Sequence, residues 1–193
     1  EYDGTSWAEV NDLNEGRIDC ATFGTAEGAI LVGGGEAGGS PGTVASVESW
    51  NGSTWTEVTG LGTARRGNNG LFGVQTAAVF CGGYLPSGPG TGKTEKWNGS
   101  SWTETGDLNT SRWAFSSGGT TTAGIAFAGE APNIAATEEF NGTSWTEASD
   151  LNTYRINGGG MGASNTSAVV AGGGSGPSRI ANAESWDGSS WAE

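Results

Sequence analysis

Histidine is absent from this chain of 193 residues, and cysteine appears only twice. The missing imidazole removes Ser–His–Asp hydrolysis, Cys–His catalysis and His-ligated metal sites together. Two cysteines, Cys20 and Cys81, are too few for a disulfide scaffold and leave the compartment open. Both read as buried free thiols, Cys20 in an inner strand and Cys81 at a small-residue position aligned with Gly33, Ala128 and Ala171. Basic residues are scarce: 8 Lys and Arg stand against 21 Asp and Glu, a formal charge of −13. Nucleic-acid binding draws on clustered Lys and Arg, so nucleic acid is not expected as a partner, and an anionic membrane surface is disfavoured likewise. No apolar run approaches the ~20 residues of a spanning helix, so no membrane insertion is expected. The chain opens at Glu1 without Met or a signal-like segment, which reads as a slice of a longer or processed product.

What is present in excess is glycine, 37 residues, and tryptophan, 9 residues. Little hydrophobicity with much glycine marks many disordered chains; the tryptophans argue the other way, because each offers a large apolar surface to bury. Few helix formers and many Ser, Thr and Gly residues point to an all-β fold with tight turns.

Eight of the tryptophans fall in one phrase that recurs five times: Glu1–Trp7, Glu48–Trp55, Glu95–Trp102, Glu138–Trp145 and Glu184–Trp191. Its last Trp returns after 48, 47, 43 and 46 residues. Leu13, Leu61, Leu108 and Leu151 follow six residues after that Trp, and Arg17, Arg65, Arg112 and Arg155 ten residues after it. Each unit then has an apolar run closing on glycine, such as Ile30–Gly35 or Ala78–Gly83, and all length variation is expected to lie beyond it. Four short strands per unit follow: a glycine-rich strand A after the Arg (Gly67–Gly70, Asn157–Gly160), the apolar strand B, strand C ending at the first aromatic, and strand D from the second. Asn-Gly and Asp-Gly between C and D are strong hairpin signals, since both residues accept positive φ. Four linked strands in a repeat of this length make a propeller blade. The expected fold is therefore an all-β propeller of four-stranded antiparallel blades, four-bladed, with part of a larger ring as the alternative.

The Gly-Gly after an apolar run, the aromatic before a turn, and Trp, Leu and Arg at fixed offsets resemble the kelch motif. The wording Ala136–Glu147 with Asp150–Arg155 is similar to kelch or galactose-oxidase-central-domain-like repeats of marine bacteriophage proteins. The resemblance covers the whole chain and implies fold more than function, since kelch propellers host enzymes, adhesins and adaptors alike. A galactose-oxidase activity is excluded, because its copper site needs histidines.

On this reading residues 1–193 form a single propeller with units at 1–47, 48–94, 95–137 and 138–183 and a partial unit at 184–193. Residues 1–9 and 184–193 are equivalent, so one hairpin is surplus to a four-bladed ring. It pairs with a neighbouring blade or subunit, or the ring is larger.

No catalytic residue, metal ligand or cofactor is expected. Arg17, Arg65, Arg112 and Arg155 form either an anion-binding ring or structural pairs with Glu48, Glu95, Glu138 and Glu184, and pairing is the usual fate of buried arginine. The first aromatics, Tyr2, Trp50, Trp97, Phe140 and Trp186, are candidate glycan-stacking platforms, while the second Trp of each phrase reads as packing between blades. Asn51, Asn98, Asn109, Asn141 and Asn165 stand in Asn-x-Ser/Thr, most simply as turn chemistry and otherwise as glycan acceptors. The variable B–C connections carry the candidate recognition residues Glu36, Tyr84, Lys93, Asn133 and Arg179.

The expected function is a non-enzymatic binding or structural module, virion-associated or extracellular (a fibre, appendage or decoration), attaching to a protein or glycan surface. A spacer in a repeat array or filament, with homo-oligomer contacts through terminal hairpins, is the alternative. A sialidase-type hydrolase, another propeller chemistry, needs an Arg cluster and a Tyr nucleophile. Tyr2, Tyr84 and Tyr154 are the chain's only tyrosines, and no break in the repeat symmetry marks a site among them.

Overall fold

The computed structural model describes the chain except residues 37–41, 68–69, 86, 89 and 131–133. Its strands are, in order, β1 (Arg17–Ile18), β2 (Ala21–Thr25), β3 (Gly28–Val32), β4 (Gly35–Glu36), β5 (Val47–Trp50), β6 (Trp55–Val58), β7 (Leu71–Val74), β8 (Ala77–Cys81), β9 (Thr94–Trp97) and β10 (Trp102–Glu104). They continue as β11 (Ser116–Thr120), β12 (Ala123–Phe127), β13 (Thr137–Phe140), β14 (Trp145–Ala148), β15 (Gly159–Ser164), β16 (Ser167–Ala171), β17 (Gly174–Ser175), β18 (Ser178–Arg179), β19 (Ala183–Trp186) and β20 (Trp191–Ala192). Four antiparallel four-stranded sheets, β2-β3-β5-β6, β7-β8-β9-β10, β11-β12-β13-β14 and β15-β16-β19-β20, are the blades of a four-bladed β-propeller.

Each blade comes from one continuous stretch, so its limits are offset from the sequence units, which begin inside the C–D hairpin. Strand D begins at the second Trp, as expected. Strand A starts later than expected: Gly67–Gly70 precedes β7, and Asn68 and Asn69 lie outside the described residues.

The C–D turn follows from two residues. The Asn51 side-chain oxygen accepts the backbone N–H groups of Ser53 and Thr54, while Gly52 takes φ 91°. Asn98, Asn141 and Asp187 repeat this arrangement, which is the turn role expected of the Asn-Gly pairs.

Burial then stacks the blades. The apolar strands β3, β8 and β12 sit between neighbours and bury both faces. The first seam joins Ile30, Val32 and Val47 to Phe80 and Trp97; the second joins Phe72, Val79 and Cys81 to Phe140 and Trp145. The third joins Ile125 and Phe127 to Val170 and Trp191. Leu61, Leu108 and Leu151 each plug one of these seams, which explains their fixed offset. Among the described residues no comparable cluster lies between the fourth blade and the first.

Candidate functional site: the channel mouth

The recurring arginines do not form an anion ring. Arg65, Arg112 and Arg155 are fully buried, and the Arg17 side chain is nearly so. Arg17 lies 2.6 Å from Glu48, Arg65 2.6 Å from Glu95, Arg112 2.6 Å from Glu138 and Arg155 2.5 Å from Glu184. Other guanidinium donors reach backbone carbonyls, as Arg112 does at Ala128 and Ala136, while the Nε of Arg65 and of Arg155 is buried without a partner. Burial drives the Arg65 and Arg112 pKa values down, and the paired carboxylate opposes that. Each pair therefore ties a D–A connection to the C strand of the blade it enters, and no guanidinium is left for a ligand.

One partner in this device escaped the sequence reading. Asn14, Asn109 and Asn152 each donate a backbone and a side-chain N–H to the second oxygen of the same Glu. Its signal was present as Leu-Asn in three units, with Leu61-Gly62 in the other, where only the Gly62 backbone N–H serves Glu95. Asn109, although exposed, thus has its side-chain amide engaged with Glu138 and the Trp145 carbonyl.

The stacking-platform reading fails for four of its five aromatics. Trp50, Trp97, Phe140 and Trp186 are buried, and the three indoles donate to the carbonyls of Ala26, Gln75 and Asn165. Strand C carries this aromatic under the neighbouring A–B turn, so its ring faces protein. Tyr2 alone is exposed, at 52%.

Cys20 and Cys81 are free, Cys81 buried and Cys20 half-buried just before β2. Burial pushes the Cys81 thiol up to about 12. The alignment of Cys81 with Gly33, Ala128 and Ala171 needs correction. Gly33, Gly82, Ala128 and Gly172 share φ values of 59°, 62°, 65° and 63° and are the true equivalents. Cys81 therefore matches Val32, Phe127 and Ala171, the last residue of each B strand.

The recognition residues scatter. Lys93 pairs with Glu104 at 2.7 Å inside the second blade, and Arg179 is exposed on β18, paired to β17. Glu36 contributes its backbone to the β1–β4 pair, and Asn133 lies outside the described residues. Tyr84 alone reaches a central feature.

That feature is the end of the channel around which β2, β7, β11 and β15 stand. In every unit the residue after the Arg pairs with the residue beyond the B-strand glycine: Ile18 with Gly35, Arg66 with Tyr84, Trp113 with Glu130 and Ile156 with Gly174. The next residue, Asp19, Gly67, Ala114 or Asn157, takes positive φ, turning the chain into the channel wall. The backbone here is four-fold, but the side chains are not. Ile18 and Ile156 are paired with glycines, whereas the second unit offers Arg66 with Tyr84 and the third Trp113 with Glu130. Here the repeat symmetry does break, against the sequence expectation.

Asp19, Arg66, Gly67, Tyr84, Trp113, Ala114 and Asn157 line a cavity of about 320 Å³ at this mouth. Tyr84 and Trp113 meet edge-on with ring centroids 5.8 Å apart, and the Arg66 guanidinium lies 5.2 Å from the Tyr84 centroid. Asp19 holds Arg66 loosely at 4.0 Å, and both side chains are partly exposed. An exposed loose pair gains little from its own contact, so its polar atoms remain available to a ligand. No family model and no curated protein matches the chain.

Proposed function

We propose that this propeller is a non-enzymatic binding module whose ligand seats in the channel mouth, and that the ligand is a monosaccharide-sized, hydroxyl-bearing ring presented on a glycan. The observation that carries this reading is the asymmetric set Arg66, Tyr84 and Trp113 on an otherwise four-fold backbone. A repeat maintained only for packing has no need of one aromatic pair and one accessible guanidinium on its axis. Aromatic faces stack on the apolar face of a sugar ring; Arg66 donates to hydroxyl or carboxylate oxygens, and Asp19 and Asn157 accept or donate at the rim. At about 320 Å³ the cavity stands at the small end of ligand sites, which run from ~300 to 1,000 Å³. That size suits one ring and not an oligosaccharide.

The setting we propose is a virion or cell surface, with the module serving attachment. Its support is the kelch-like phrase resembling bacteriophage repeats and the acidic surface, which disfavours nucleic acid. A sialidase-type hydrolase has less support, because the four recurring arginines are consumed inside the blades. The test is a glycan array read with intact protein, Trp113→Ala and Arg66→Ala, with thermal melting alongside. Binding to defined glycans that both variants lose at unchanged melting temperature supports the proposal. Equal binding by the variants, or turnover of a glycan reporter, overturns it.

A further inference from the structure

Five asparagines of this chain stand directly before a glycine: Asn51, Asn69, Asn98, Asn141 and Asn157. Asn69 lies outside the described residues, and the fold treats the other four in two different ways. In the C–D turns the Asn side-chain oxygen gathers donors. At Asn98 it accepts the N–H groups of Ser100 and Ser101, both at 2.9 Å, and their hydroxyls at 3.0 and 3.4 Å. At Asn51 it accepts the N–H groups of Ser53 and Thr54 at 3.0 and 2.9 Å, and their hydroxyls at 3.3 and 3.4 Å. Asn141 takes the N–H groups of Thr143 and Ser144 at 2.9 and 3.0 Å. Among the described residues nothing donates to the Asn157 side-chain oxygen.

An Asn-Gly pair carries its own electrophile and its own nucleophile. The glycine nitrogen can attack the asparagine Cγ, and glycine has no Cβ to hinder the approach. The new N–Cγ bond closes a five-membered ring while the glycine proton passes to solvent. The Cγ–Nδ2 bond then breaks, and the nitrogen leaves as ammonia. Water opens the resulting imide at one of its two carbonyls, giving aspartate or isoaspartate, so that amide and water become carboxylate and ammonium.

During ring closure negative charge collects on the side-chain oxygen. Donors already aimed at a developing oxyanion lower the barrier, because they need no reorganisation at the moment of reaction. The turns at Asn51, Asn98 and Asn141 supply that arrangement. Their glycine N–H groups bond to no acceptor among the described residues, so the nucleophile is not held elsewhere. All three asparagines are exposed, which brings water to the imide. Asn157 differs on each count that matters to the backbone. It takes φ 53°, its N–H donates to the Ala114 carbonyl, and Gly158 is buried.

We infer that the turns at Asn51, Asn98 and Asn141 are self-modification sites, at which the fold speeds loss of the side-chain ammonia, while the same dipeptide at Asn157 is shielded. The aspartate product leaves the turn closed, as Asp187 shows by accepting the N–H groups of Ser189 and Ser190 in the same way. Each conversion adds one negative charge at the blade rim. Isoaspartate lengthens the backbone by one atom and removes the acceptor from its turn. The inference is independent of any ligand at the channel mouth.

The test holds the intact protein, folded and unfolded in urea, at one neutral pH and temperature, and follows amide-to-acid conversion at each asparagine by peptide mass spectrometry. Asn51, Asn98 and Asn141 should convert about fivefold faster in the folded chain, the rate equivalent of one ordinary hydrogen bond. Asn157 should convert more slowly folded than unfolded. A double variant, Ser100→Ala with Ser101→Ala, removes two hydroxyl donors from Asn98 and keeps both N–H donors. Asn98 should then slow about fivefold relative to Asn51 in the same molecule, with the melting temperature recorded to show that the variant is folded. Turn sites that react in the folded chain no faster than in urea overturn the inference. An Asn157 that gains from folding as much as the turns overturns it too, as does an Asn98 rate unmoved in the folded double variant.

Discussion

The second seam and the fourth are built from the same repeat yet hold together differently. Between the second and third blades, Phe72, Val79 and Cys81 meet Phe140 and Trp145 in a fully buried cluster, and the Trp145 indole donates to Thr94 at 3.0 Å. Between the fourth blade and the first, Val169 and Met161 stay exposed, Met161 lining a cavity with Thr22 and Phe23 of the first blade, and Leu13, the counterpart of the seam-plugging Leu108, is only half-buried. Strand content, turns and Arg–Glu pairs are alike on both sides. A propeller's stability thus divides into a term for each blade and a term for each seam, and only the second is missing at the gap. Repeat arrays behave in this way, with neighbour interfaces adding to intrinsic unit stability.

The sharpest way to break the comparison is to remove a term that every blade shares. Arg112→Met leaves Glu138 buried with no cation, and uncompensated burial of a charge costs about 3–5 kcal/mol. Urea unfolding should show a midpoint shift of that size or complete loss of folding. A change no larger than that of a surface substitution would mean that the pairs do not hold the D–A connections in place.

Removing a seam term should come next. Trp145→Ala empties a buried site in the second seam and should cost ~3–5 kcal/mol. Trp7→Ala, the same residue in the same phrase, should change the stability of the single chain by no more than about 0.5 kcal/mol, as an exposed position does. Similar losses for the two would show that Trp7 is covered in solution.

This contrast marks how far the sequence was legible. The phrase repeated in phase, so blade count, strand D and the turns followed from spacing and from residues that accept positive φ. The identity of the buried aromatic was misjudged, because Trp50 borders the exposed turn in sequence while its ring lies under the neighbouring A–B turn. The choice between pairing and anion binding for Arg112 needed the position of Glu138, which lies 26 residues away and meets it only through the blade's fold. The mouth was least legible. Arg66, Tyr84 and Trp113 each look like a loop residue beside a constant one, and only closing the blades around an axis brings them to one rim.

A smaller effect tests how the seams are tuned. In the second and third seams the Trp145 and Trp191 indoles donate to the hydroxyls of Thr94 and Thr137. The first seam has Val47 at that position, and the Trp102 indole N–H is buried without a partner. Val47→Thr keeps the shape and offers an acceptor to Trp102, while its own hydroxyl proton can reach the Ala45 carbonyl, as Thr94 reaches Gly92. The expected gain is about 1 kcal/mol, the net worth of one buried hydrogen bond. A Trp102→Phe control should lose the gain. If Val47→Thr destabilises equally with and without the Trp102 indole, the hydroxyl is simply buried at a cost and the seams are not tuned this way.

The smallest expected effect concerns the turns, where the five phrases differ by a single atom type. Asn51, Asn98 and Asn141 close their turns with an amide oxygen, whereas Asp3 and Asp187 use a carboxylate. Backbone hydrogen bonds from Ser190 and Ser189, with the Ser189 hydroxyl, hold the Asp187 carboxyl below its ordinary value of 3.8, and similar bonds lower Asp3. A group whose folded-state pKa is depressed contributes fully above its unfolded value and loses that contribution as pH falls through the folded value. Near neutral pH, Asp187→Asn should therefore leave the melting temperature almost unchanged, because the amide oxygen supplies the same acceptor. In acid, the variant's melting temperature should fall less steeply than that of the intact chain, since one titrating turn has been removed and Asp3 remains. The Asp187 turn is exposed and meets the third blade through the Ser149 hydroxyl at the Ser189 carbonyl, so hydrogen exchange at Ser189 and Ser190 should report the same acid-dependent opening locally. Equal acid slopes for the two proteins would mean that these bonds do not depend on the carboxylate's charge.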